Sequence, residues 1–195
     1  SWESDGKEKT SEFINQATRY YLLMTIPLAT FVSLNSKQIL GLLTTKEYIE
    51  AYTIVPIVIS AVFLLGITQR YSAVLSIAMQ TKKVMLSTIV AGMFNIALNL
   101  IFVPQYGYYA SAVSTLASYI LLLVITTIYS KSILHWKFPF TTLYKIILSI
   151  LPMVIFSYGY NNINILELSI LLFISISCYV LFLYFLKELT SNELN

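Results

Sequence analysis

Arg70 stands inside an apolar run, next to Gln69 and ahead of Ser72, Ser76 and Gln80. At helical spacing these polar side chains form one stripe with a guanidinium at its head. A guanidinium is permanently charged, and its paired donors match the oxygens of a phosphate or carboxylate. The chemistry on offer is recognition of an anion. A second set follows downstream, where Thr88, Gly92, Asn95 and Asn99 recur on one helical face. Their amides can bond across a helix contact or edge a polar cavity. Gln69, Arg70, Ser76, Asn95 and Asn99 are therefore the candidate cavity residues. Glu47, Glu50 and Glu167 flank apolar runs and read as solvated rim charges, and His135 in "HWKF" reads as an interfacial loop residue. The lone Cys178 and the six scattered glycines supply no metal-ligand spacing, nucleophile or phosphate loop. No catalytic residue, metal or cofactor is expected, and the chain does not read as an enzyme or as a nucleic-acid binder.

The elements that must hold these residues follow from composition. Hydrophobic residues make up 57% of the chain and charged residues 11%, with a mean hydropathy of +0.76. A soluble domain needs more charge to cover its surface. The charges sit in short islands between apolar runs about as long as a bilayer is thick. Six spans are expected, at about 17–34, 52–80, 84–103, 108–130, 141–158 and 165–186. Backbone polar groups must be satisfied internally in hydrocarbon, and the alternation of barrel strands is absent, so the spans are helices. The expected fold is all-α, a polytopic transmembrane helix bundle. Residues 1–16 read as a cytoplasmic loop or tail, 17–187 as the six-helix region and 188–195 as a cytoplasmic tail. The chain starts with Ser1 and shows no signal peptide, which reads as the later part of a longer protein.

Basic residues orient the spans. Nine of them (Lys7, Lys9, Arg19, Lys82, Lys83, Lys131, Lys137, Lys145 and Lys187) fall on one side of a six-span layout, and only Lys37 and Lys46 on the other. The positive-inside rule then makes both ends of the chain cytoplasmic in a multi-pass cell-membrane protein. Tyrosines near span ends, among them Tyr20, Tyr48, Tyr52, Tyr106, Tyr144 and Tyr160, together with Trp136, read as an interfacial belt. Arg70 lies twelve residues before Lys82, about 18 Å along a helix. It is placed at mid-membrane if the span ends near Gln80, or snorkels to the interface if the span ends at Thr68. The long second span permits both.

Between the third and fourth spans the chain reads "NIALNLIFVPQYGYYASAVST", from Asn95 to Thr115. Pro104 is expected to stop one helix and Gly107 to permit a tight turn, which makes these spans an antiparallel hairpin. Ala110, Ser114 and Ser118 share a face that would let the arms approach closely, so leucine at Ala110 or Ser114 is expected to force them apart. Pro27, Pro56 and Pro152 fall inside spans as sites of helix bending.

This stretch resembles the signature that follows the eleventh helix of Wzx-type polysaccharide flippases, members of the multidrug/oligosaccharidyl-lipid/polysaccharide exporter superfamily. Ala110, Ser111 and Ala112 stand where that family often has Gly-Ala-Ala. A proline midway along the first span and a long second span ending in "QTKK" agree with the resemblance. It implies that the six spans are the ninth through fourteenth of fourteen helices, a partial second lobe whose amino-terminal partner region lies elsewhere in the same protein. It also implies a flippase that moves a lipid-linked oligosaccharide, carried on a polyprenyl diphosphate such as undecaprenyl diphosphate, across the membrane for cell-surface polysaccharide biosynthesis. Its other partners are the membrane lipids. A multidrug antiporter of the same superfamily is the alternative, although that reading wants a carboxylate buried in a lobe. A polysaccharide polymerase or ligase fits less well, because the outer turns carry almost no titratable groups.

Overall fold

The computed structural model describes residues 6–134, 138–158 and 164–188. His135, Trp136, Tyr160 and the tail after residue 188 lie outside the described residues. Every regular element among the described residues is helical. In order they are α1 (Lys7–Leu34), α2 (Ser36–Leu43), a short 3-10 helix (Lys46–Thr53), α3 (Val55–Ile77), α4 (Thr81–Lys131), α5 (Phe140–Tyr158) and α6 (Ile165–Phe185). Four helices are long and apolar enough to cross a membrane, or five if α1 and α2, bent by 72° at Asn35, form one broken span. The protein is a multi-pass membrane protein.

Several boundaries depart from the sequence pattern. Helix α1 takes in residues 7–16, which read as a polar loop. Its early turns carry charge and few apolar side chains, so hydropathy cannot see them, yet Ile14 is buried there. Helix α3 is shorter than expected at both ends. Pro56 is its second residue, in the first turn, where a missing N–H costs nothing, so it is not a bending site. At the other end Met79 adopts φ 57°, Gln80 N–H bonds to the Leu75 carbonyl, and Met79 N–H to that of Ser76. This left-handed cap ends the helix at Ile77 and makes Gln80 the residue before α4, so Gln80 does not extend the Arg70 stripe.

Helix α4 would span about 76 Å if straight. The Lys83 Nζ instead sits 5.3 Å from the centre of the Tyr129 ring. The two arms therefore lie side by side and antiparallel. The fold-back is made at Gly107, with φ 61° and ψ −145°, the non-helical residue within α4. Pro104 remains inside the first arm rather than ending it, so the glycine alone makes the turn.

The chain divides into two compact units, one of residues 1–18 and 57–138, the other of residues 19–56 and 139–195. The first contains the α4 hairpin and a cluster of Ile14, Val74 and Leu134. The second joins three helices. Phe31, Met153 and Leu171 form its core, from α1, α5 and α6 respectively. At one end Asn35 Nδ2 donates to Ser157 Oγ at 3.3 Å, and at the other Arg19 and Thr142 both meet Glu188. Residues 19–35 of α1 thus run parallel to α5, and α6 runs antiparallel to both. Pro27 removes the N–H that would bond to the Leu23 carbonyl. Tyr179 Oη of α6 donates to that carbonyl at 2.9 Å.

Candidate functional site

The hairpin brings the two polar stripes of α4 face to face. Thr88, Gly92 and Asn95 of the first arm and Thr115, Ser118 and Tyr119 of the second line a recess of about 250 Å³, with Ala91 and Leu122. The register follows from the turn, because residues equidistant from it along the two arms become opposite partners. Thr88, Thr115 and Ser118 donate their hydroxyl hydrogens to carbonyls one turn back, at Val84, Ser111 and Ser114. Their oxygens remain able to accept. Asn99 Nδ2 donates to both the carbonyl and the Oδ1 of Asn95, each at 3.0 Å. This pairing holds Asn95 at the recess wall. The recess presents neutral acceptors and an amide. That set suits hydroxyl-rich groups or water and offers neither acid–base nor nucleophilic chemistry.

Nearer the turn the lining becomes apolar. Phe94, Leu98, Phe102, Tyr106, Tyr109, Ala110, Val113, Ser114 and Ala117 line an apolar cavity of about 420 Å³. Ala110 and Ser114 are themselves buried, as their spacing suggests, and they form the floor of this cavity. Beyond the polar recess Thr126 and Ser130 are fully buried.

Arg70 is half-buried on α3, and one guanidinium nitrogen donates to the Gly66 carbonyl at 2.6 Å. Side chains on a helix lean toward its amino-terminal end, and this bond carries the charge a full turn that way. With α3 ending at Ile77, Arg70 already lies about 10 Å inside the helix. The guanidinium therefore points away from the Lys82–Lys83 turn rather than snorkelling toward it. Gln69 and Ser76 are exposed, and Ser76 Oγ bonds back to Ser72. Of the five candidates, the structure joins Asn95 to Asn99 and ties Arg70 and Ser76 each to its own helix.

The charged residue that sequence reading missed is Glu188. Its side chain is 7% exposed, and Arg19 Nε and Lys145 Nζ bind its two oxygens at 2.9 and 2.8 Å. Thr142 Oγ1 adds a hydrogen bond at 2.7 Å. Burial pushes the carboxyl upward, but the Lys145, Thr142 and Arg19 hydrogen bonds outweigh it and hold the group below its ordinary value. Position after a span made Glu188 look like a tail residue, and its three partners are too distant in sequence to signal it.

Comparison with known proteins places this architecture. The MatE family model matches residues 5–101. The solved structure "Lipid II flippase MurJ, inward closed conformation" superposes with a TM-score of 0.80 over 96% of the chain, at 22% identity. The first part of the chain is thus similar to the MatE family, and the chain shares its fold with the flippase structure. It covers 41% of the length of that structural relative. No curated protein sequence matches it.

Proposed function

We propose that the chain is the six-helix later part of a Wzx-type flippase, which moves lipid-linked oligosaccharide on a polyprenyl diphosphate carrier across the cell membrane. The observation that carries this reading is the polar recess between the arms of α4, where Asn95, Thr115 and Ser118 face one another within membrane-length apolar sequence. Polar groups at that depth are costly, and they persist where they serve a polar passenger or a helix contact. A sugar-diphosphate headgroup cannot cross hydrocarbon unaided, and it needs both hydroxyl partners and positive charge. The recess offers the former, and Arg70, which stands on α3 outside the recess lining, is the candidate for the latter. The fold likeness to a lipid II flippase supports the same class of passenger.

The whole protein is tested by complementation of a flippase-deficient strain, with membrane levels followed by immunoblot. Arg70→Ala is expected to lose surface polysaccharide at normal abundance and Arg70→Lys to restore part of it. A charge-assisted contact contributes about 1.5–3 kcal/mol, so headgroup engagement should weaken roughly ten- to a hundredfold. Full activity of Arg70→Ala would leave Arg70 a structural partner of its own helix, with no part in holding the headgroup. Drug resistance conferred without any polysaccharide rescue would favour a multidrug antiporter instead.

A further inference from the structure

Glu188 is held by more positive charge than it neutralises. Arg19 from α1 and Lys145 from α5 both pair with it, and Thr142 in the first turn of α5 donates its hydroxyl. The start of α5 adds the partial positive charge of a helix amino terminus. A forked guanidinium, an ammonium and a hydroxyl converging on two oxygens make up the donor set of a phosphate site. Arg19 also donates to the Glu188 backbone carbonyl, so a second acceptor is engaged within the same cluster.

Two further features separate this cluster from a plain structural ion pair. The cationic side chains keep 24% and 29% of their surface exposed, against 7% for the carboxylate, so the two cations are the more accessible members of the cluster. Glu188 also lies beyond α6, after Lys187 at φ 52°, with its own N–H bonded to the Leu183 carbonyl. This cap fixes the backbone while the side chain stays outside the helix. The carboxylate can leave by rotating its own bonds, without unwinding α6.

We propose that Arg19, Lys145 and Thr142 form a phosphate-binding site, occupied here by the chain's own Glu188 side chain, which a phosphate group displaces. The phosphate comes from a phospholipid headgroup or from free inorganic phosphate, and the two share the same chemistry. This site is independent of the transport reading.

The test uses the full chain in phosphatidylcholine nanodiscs, with two probes. One is phosphatidic acid doped into the bilayer, with retained lipid counted by native mass spectrometry. The other is inorganic phosphate, followed by phosphorus NMR. Glu188→Gln removes the competing anion and should raise probe occupancy about tenfold. Adding Lys145→Gln should return it to or below the wild-type level. Binding of phosphatidic acid alone assigns the site to a lipid headgroup, and binding of both probes assigns it to phosphate in general. If Glu188→Gln retains its helicity but binds neither probe above the double variant, the cluster is only a structural clasp and the proposal is overturned. Should Glu188→Gln not accumulate, Glu188→Asp weakens the clasp while keeping the charge. It should then show a smaller rise in occupancy, and no rise overturns the proposal equally.

Discussion

Tyr179 Oη donates a 2.9 Å hydrogen bond to the carbonyl of Leu23, the acceptor left open four residues before Pro27. The bond is buried, so no water replaces it. Tyr179→Phe should strand that carbonyl and destabilise the protein by about 1–3 kcal/mol. In a Pro27→Ala background the restored N–H satisfies Leu23, and the same substitution should cost much less. Thermal unfolding of the four variants measures the difference, and equal costs in both backgrounds would disprove the pairing.

Gly107 carries the fold-back of α4 at φ 61° and ψ −145°. A Cβ there meets nothing within 4 Å, so the penalty for alanine is backbone strain alone. Gly107→Ala should cost about 1–3 kcal/mol of stability. Gly92→Cys with Tyr119→Cys, in a Cys178→Ser background, should be joined by a short bifunctional thiol reagent, because both positions line one recess. Failure to crosslink would mean that the arms separate there.

Leucine scanning should divide the second arm of α4. Ala110 faces the apolar cavity of about 420 Å³, so Ala110→Leu should be tolerated. Thr126 is fully buried, and Thr126→Leu should cost about 1–3 kcal/mol by overpacking. Accumulation in membranes and unfolding midpoints read both. A costly Ala110→Leu would mean that the cavity closes in the bilayer.

Glu188 links stability to pH. Its carboxyl titrates below its ordinary value of 4.5, so the folded state favours the charged form. The stabilisation is complete above that value and is lost as pH falls through the lower folded value. The unfolding midpoint should therefore drop on acidification across this range, and Glu188→Gln should flatten the drop. An unchanged pH profile in the variant would assign the acid sensitivity elsewhere.

The nine-to-two bias of basic residues leads us to propose that both ends of the chain are cytoplasmic. An impermeant thiol reagent added outside should label Tyr106→Cys and spare Lys83→Cys. The reverse pattern would invert the layout.

The sequence by itself determined the membrane class, the helical fold and the hairpin. Each is a local consequence of the bilayer: a backbone that must bond to itself, spans matched to hydrocarbon thickness, and a glycine where the chain must turn. The spacing placed Asn95 and Asn99 on one helical face, but the structure decided that they bond to each other. Tertiary structure decided what depends on neighbours from other helices. Small residues at Ala110 and Ser114 signal that two arms can approach, but only the packed arms show that a cavity lies beside them. Helix α3 ended early through a left-handed Met79 that no propensity marks. Pro27 announced a missing hydrogen bond without naming Tyr179 as the group that fills it. Glu188 lies 169 residues from Arg19, beyond the reach of any periodicity, and only the side-by-side packing of α1, α5 and α6 turned it from a tail charge into the centre of a cationic cluster.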